Sequence, residues 1–259
     1  FSIYEFTDSY GDRRKVSHIA FLFYRGIVGV KERLCGFFWE PGIYQIYLNI
    51  FLILQLNKYK EKLWIFATIL SIILTVSTTG YIILSIILLY ELFKKLHTTK
   101  NIFTVIAVMI VAAVGFGYGY KIVTGNISDK VSGENQGSFF ARQADVIAGL
   151  TIAYENPLIG IGANTERFKQ MRSQIAWQGE LTGSQTKDTG NTNGLISLMY
   201  IWGIPFAAWY LWGMCRQKII CGSKWIMAAL LLLSLNSEPL AMTPFFLLFI
   251  YSGLDNTLD

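Results

Sequence analysis

Arg33 is the first residue in this chain placed to do chemistry. It stands in Glu32-Arg33-Leu34-Cys35-Gly36-Phe37-Phe38-Trp39-Glu40-Pro41, directly ahead of an apolar run. A guanidinium there lies at the depth of lipid headgroups, where its planar fork can donate two parallel hydrogen bonds to a phosphate or pyrophosphate and stays charged at any working pH. The same position also suits plain snorkelling to headgroups, and both readings stand at this point. Arg142 begins a second feature. Between Phe139 and Ala153 the apolar Phe140, Val146, Ile147, Leu150 and Ile152 are interspersed with Arg142 and Asp145. That pattern fits an amphipathic helix lying along a membrane, or an ordinary surface helix. Asn156-Pro157 breaks it, Gly160-Ile161-Gly162 supplies a turn with open backbone, and Arg167, Lys169 and Arg172 follow as a basic stretch.

Other chemistries lack their signatures. The chain has no Gly-x-x-x-x-Gly-Lys phosphate loop, no His-Glu-x-x-His, no Cys-x-x-Cys, no Gly-x-Ser-x-Gly and no Asp-x-Asp pair. Its two histidines, His18 and His97, are far apart, and His97 sits in a basic connector. ATP-driven, zinc-dependent and serine-hydrolase mechanisms lose support, and no metal or other cofactor is expected. Cys35, Cys215 and Cys221 make neither a disulfide framework nor a zinc set.

The elements that must position these residues read as membrane-embedded. Of 259 residues, 53% are hydrophobic and 15% aromatic, so lipid is the expected solvent. The net charge of +5 is dispersed in short basic clusters between apolar runs, which argues against nucleic acid as a partner. Residues 42–56 form the first predicted span, with Pro41 at its start and Lys58, Lys60 and Lys62 behind it. Residues 63–96 read as two crossings joined by an outward turn at Ser77-Thr78-Thr79-Gly80, and 102–120 as a fourth. Residues 191–214 cross again with a kink at Gly203-Ile204-Pro205, and 225–251 form a hairpin split at Asn236-Ser237-Glu238-Pro239. Under that count every basic connector falls on one side. The expected fold is an all-α, polytopic transmembrane bundle of about six or seven spans with one long extracytoplasmic loop. Its divisions are an extracytoplasmic or interfacial segment (1–41), four transmembrane helices (42–120), the loop with amphipathic helices (121–190), and a transmembrane helix plus membrane hairpin (191–254). The chain opens at Phe1 with no signal-like segment, as a piece of something longer would.

Taken together, Arg33-x-x-Gly36-x-Phe38-x-Glu40-Pro41, Ser77-Thr78-Thr79-Gly80, Arg142 with Asn156-Pro157-Leu158-Ile159-Gly160-Ile161-Gly162, and Asn193-Gly194-Leu195 through Gly203-Ile204 resemble the bacterial O-antigen polymerase and O-antigen ligase superfamily. The resemblance runs from Arg33 to the C-terminus and implies the C-terminal half of a larger bundle in the bacterial plasma (inner) membrane, multi-pass. It implies a polyprenyl-pyrophosphate-linked glycan as donor, membrane lipid as surroundings, and flippase and chain-length regulator proteins as partners. By the same resemblance Arg33 and Arg142 hold the pyrophosphate, while Arg167, Arg172 and Asn193 bind substrate; a solvated basic face is the other reading of the two loop arginines. Ligases of the family carry a His at the end of the long loop. This chain has Asp188-Thr189-Gly190-Asn191-Thr192-Asn193 there and no loop His, which favours a polymerase or another branch of the family. Asp188 and Glu40 are then the candidates for the general base. The leading expectation is polymerisation of lipid-linked repeat units into a surface polysaccharide. Ligation of finished glycan to a lipid or protein acceptor is the second, and a non-catalytic transporter or flippase subunit is the third.

Overall fold

The N-terminal segment is a sheet. Strands β1 (Ser2–Thr7), β2 (Arg13–Ile19), β3 (Leu22–Ile27) and β4 (Arg33–Leu34) pair antiparallel in sequence order. Their residues are rich in β-branched and aromatic types, which favour strands. The register sets Glu5 opposite Lys15 and His18 opposite Phe23, whose rings stack at 5.4 Å. Lys15 Nζ also meets Glu32 Oε1 at 2.7 Å, and Ser17 Oγ donates to Glu32 Oε2.

The computed structural model describes residues 2–7, 13–19, 22–27, 32–98, 124–125, 136–178, 191, 193–220 and 224–255. The chain forms two units, Phe1–Ile127 and Ser128–Asp259. In the first, α1 (Pro41–Leu54) starts with Pro in its opening turn after an extended Glu40, and runs into a π-helical segment, Gln55–Tyr59. Lys60, in the left-handed region at φ 57°, ends it by donating its N–H to Gln55 O at 2.6 Å. Helices α2 (Lys62–Leu74) and α3 (Thr78–Thr98) follow, separated by a three-residue reversal. Ile43, Ile46, Ile50, Ile72, Ile83 and Ile87 are buried here together with the amides of Gln45 and Asn49.

In the second unit, α4 (Gln136–Glu155), α5 (Thr165–Gln178) and α6 (Gly194–Trp202) share a core of Ala148, Ile152, Ala153, Phe168, Ile196 and Tyr200. Gly149 allows the close approach of α4 and α6, since a Cβ there would lie 2.4 Å from Ile196. Helices α7 (Ile204–Cys215), α8 (Lys224–Ser237) and α9 (Pro244–Leu254) complete the unit. The backbones of α7 and α9 meet at Gly213 and Gly253, and Tyr210 donates its hydroxyl to Ala241 O at 2.5 Å.

This architecture overturns the expected all-α transmembrane bundle. A four-stranded sheet precedes the helices. Among the described residues no helix is long and apolar enough to cross a membrane. The physical reason is interruption. The α-helical part of α1 is 14 residues, about 21 Å against roughly 30 Å of hydrocarbon, and its π-helical continuation takes in the polar Gln55, Asn57 and Lys58. The run after Asn191 is cut at Gly203 into helices of 9 and 12 residues, and the 21 residues of α3 take in Glu91, Lys94 and Lys95. Residues 102–120, expected as a span, lie outside the described residues.

Candidate functional site

Helix α4 carries Arg142 and Asp145 one turn apart, and they meet opposite fates. Asp145 is 1% exposed and accepts from Arg172 Nε at 2.5 Å, an ion pair buried between α4 and α5. Asn191 Nδ2 reaches the backbone carbonyl of Asp145 at 3.5 Å, a weak contact. Removing water from such a pair costs several kcal/mol per ion, so its partners hold each other firmly only while both remain. Arg142 lies beyond this lock. It is exposed, and among the described residues it forms no ion pair.

After α4 the chain forms a backbone-to-backbone junction with the break between α6 and α7. Asn156 continues the last turn by donating its N–H to Ile152 O at 3.0 Å. Gly160 N then donates to Asn156 O, Ile161 N to Tyr200 O, Gly162 N to Ile201 O and Ile204 N to Pro157 O, at 2.8–3.1 Å. Two glycines make the approach possible. Gly160 (φ 69°) lies against the backbone of Tyr200 and Ile201, and Gly203 (φ 89°) against Leu158, where an added Cβ would fall 2.2 Å from the Leu158 carbonyl oxygen. The Asn156–Gly162 phrase and the Gly203-Ile204-Pro205 kink are therefore two halves of one junction. Asn164 Oδ1 accepts from Arg167 N at 3.2 Å and starts α5.

In the first unit Arg33 extends from β4 and donates its Nε to Thr75 O at 2.9 Å. Thr75 ends α2 in the reversal before Ser77-Thr78-Thr79-Gly80, so these two sequence phrases are neighbours. Val76, β-branched with φ 48°, holds the reversal in a strained conformation. Gly80 lets α3 close onto α1, since a Cβ there would be 3.1 Å from the Gln45 side chain. The guanidinium of Arg33 is thus anchored at a helix C-terminus, where carbonyl dipoles favour a cation.

The remaining sequence candidates are dispersed. Glu40 is exposed just ahead of α1 and makes no side-chain cap bond. Asp188 lies outside the described residues. Arg167 pairs with Glu155 at 3.1 Å on the surface, and Lys169 with Glu166 at 3.5 Å. Arg172 is committed to Asp145. Asn193 is buried as the N-cap of α6: its Oδ1 accepts from Ile196 N at 3.0 Å and its Nδ2 donates to Asn236 Oδ1 at 2.7 Å. Sequence reasoning did not single out Gly149, Glu155 or the partnership of Asp145 with Arg172. Only a carboxylate on the apolar stretch of α4 hinted at the last.

A family model described as O-antigen ligase matches residues 63–205. That stretch takes in Arg142, Arg167, Arg172, Asn193 and both halves of the junction; Arg33 and Glu40 precede it. No curated protein and no solved structure matches the chain. Because the match spans more than half of the 259 residues, the chain belongs to the O-antigen ligase family, membrane-associated proteins that transfer glycans in polysaccharide biosynthesis.

Proposed function

We propose that the protein joins glycan repeat units carried on polyprenyl pyrophosphate into a surface polysaccharide, at the outer face of the bacterial plasma membrane. In the reaction an acceptor sugar hydroxyl oxygen bonds to the anomeric carbon of the donor glycan. The bond from that carbon to the pyrophosphate oxygen breaks, polyprenyl pyrophosphate departs with the electron pair, and a carboxylate takes the hydroxyl proton. Negative charge develops on the leaving group, and fixed cations beside a low-dielectric medium stabilise it without calling on a metal.

The observation that supports this most is the contrast around α4: Arg142 is exposed and outside any ion pair among the described residues, next to a buried, neutralised Asp145–Arg172 pair. A cation kept uncompensated beside a rigid lock suits a doubly phosphorylated ligand. The family resemblance gives Arg33, in the first unit, a pyrophosphate-holding role of its own in this reading, and Glu40 and Asp188 are the proposed bases. Flippase and chain-length regulator proteins are the partners it calls for. Arg142→Ala and Arg33→Ala should each abolish polymer in cells at unchanged protein level. Polymer of normal length in either variant contradicts the assignment.

The family description supports a second reading, transfer of finished glycan to a lipid or protein acceptor. Cells lacking a polymerase accumulate single repeat units, whereas cells lacking a ligase accumulate long unattached chains, so the glycan species in the Arg142→Ala strain separates the two.

A further inference from the structure

We propose that Asn236, in the last turn of α8, binds the glycan: its amide N–H groups donate to sugar hydroxyl oxygens at the same end of the second unit as Arg142. This rests on the transfer reaction proposed above and adds to it a contact for the sugar. The two ends of the unit are defined by α4 and α6. At one end Asn191, ahead of α6, has its Nδ2 2.9 Å from the point where Gly149 of α4 would carry a Cβ. At the other the Asn156–Gly162 phrase after α4 bonds to Tyr200 and Ile201 near the end of α6. The two helices therefore run in the same direction, and Arg142, one turn before Asp145, belongs to the end where α6 begins. The last turn of α8 reaches that end too. The carbonyl oxygens of Leu235 and Glu238 lie 3.0 and 2.7 Å from the Cβ position of Gly194, the first residue of α6, so backbone meets backbone there.

Elementary hydrogen-bond chemistry decides how the Asn236 amide is turned. Asn193 spends its Oδ1 on Ile196 N at 3.0 Å, which leaves its Nδ2 to face Asn236. A donor must meet an acceptor, so Asn236 shows Asn193 its Oδ1, at 2.7 Å. The Asn236 Nδ2, with two N–H groups, is left over. It belongs to an exposed residue that makes no other side-chain hydrogen bond among the described residues. An exposed amide on a helix ordinarily turns among rotamers. This one is held by a buried N-cap and by a backbone packed on Gly194. A donor fixed in advance loses little freedom when a ligand arrives, which is the property of a built binding contact. A neutral N–H donor matches neutral oxygens such as sugar hydroxyls, whereas anionic phosphates take a guanidinium. Arg142 and Asn236 thus divide a glycosyl pyrophosphate between them by charge.

The test uses the purified full chain with two probes: a labelled polyprenyl-pyrophosphate-linked repeat unit for transfer, and polyprenyl pyrophosphate without sugar for binding. Asn236→Asp keeps an oxygen facing Asn193 and removes the N–H donors, while Asn236→Ala removes both. The proposal predicts a KM for the repeat unit raised roughly tenfold in each variant, with the Kd for polyprenyl pyrophosphate unchanged. Unfolding of Asn236→Asp should match wild type. A wild-type KM in Asn236→Asp overturns the proposal, because the amide then only ties α8 to α6. Equal loss of polyprenyl pyrophosphate binding in Asn236→Ala also overturns it, because the substitution then disturbs the phosphate side. Arg142→Ala, measured alongside, reads the pyrophosphate assignment through the same Kd, so either reading can fail while the other stands.

Discussion

One helical turn separates two uses of charge in the second unit. At Asp145 the protein has withdrawn a carboxylate and the Arg172 guanidinium from water and cancelled them against each other. At Arg142 it has left a guanidinium exposed with no ion pair among the described residues. The difference teaches which basic residues of this stretch can serve a ligand. A guanidinium enclosed with its carboxylate adds rigidity and little field, while one left uncompensated keeps its full charge for an anion.

The comparison can be broken from its buried side first. Arg172→Met takes from the buried Asp145 carboxylate its guanidinium partner and should cost about 3–5 kcal/mol in thermal or denaturant unfolding of the solubilised protein. Adding Asp145→Leu should recover most of that loss, because an apolar pair replaces the ionic one. A single variant that unfolds like wild type would mean the pair is not closed to solvent. The junction beside the pair gives the next effect. Gly203→Ala meets both a left-handed backbone and the Leu158 carbonyl, and should cost about 2–4 kcal/mol. Gly162→Ala meets only a positive-φ backbone in open space and should cost about 1 kcal/mol, so the gap between the two reports the clash at Gly203 together with the added strain of its extended positive-φ backbone (φ 89°, ψ 162°).

The surface pair Lys15–Glu32 supplies the smallest effect and the sharpest contrast with the buried one. Its hydrogen bond with Lys15, followed by that from Ser17, holds the Glu32 carboxyl below its ordinary value of 4.5. The hydrogen bond and charge of Glu32 raise Lys15 above 10.5. The carboxyl contribution is therefore present above its unfolded value and lost as pH falls through the depressed folded one. The ammonium contribution is present below 10.5 and lost as pH rises through the raised folded value. Sheet stability should accordingly run level between those limits and bend at each end, and Glu32→Gln should remove the pair's contribution to both bends. An unchanged acid limb in that variant counts against the pair.

The punctuation of the helices was legible in the sequence, and their partners were not. Pro41 opens α1, Ser77-Thr78-Thr79-Gly80 sits at the reversal between α2 and α3, and Gly203-Ile204-Pro205 separates α6 from α7, all because Gly, Pro and hydroxyl residues act locally. Only at 191–214 was a span drawn through such a break, as a kink at Gly203, where the chain in fact ends one helix and begins another. The sheet was not legible in residues 1–41, read as an interfacial segment, because its strands show no clean two-residue alternation: Arg13-Arg14-Lys15 are consecutive charges and Leu22-Phe23-Tyr24 consecutive apolar or aromatic residues. Arg172 and Asp145 are 27 positions apart, and their meeting depends on the packing of α4 against α5, which no local pattern encodes. Asn156–Gly162 and Gly203-Ile204 were each visible as breaks. Their backbone-to-backbone junction required the fold.

The central proposal is that Arg142, exposed and outside any ion pair among the described residues, is the cation on which the departing pyrophosphate depends. Its most direct test is the rate of glycan transfer from a labelled polyprenyl-pyrophosphate donor by the purified full chain, for Arg142→Ala and Arg142→Lys, with unfolding measured on the same samples. The account predicts a rate loss of about 10²–10³-fold for Ala, partial recovery with Lys, and unfolding like wild type for both. Wild-type turnover by Arg142→Ala would contradict it.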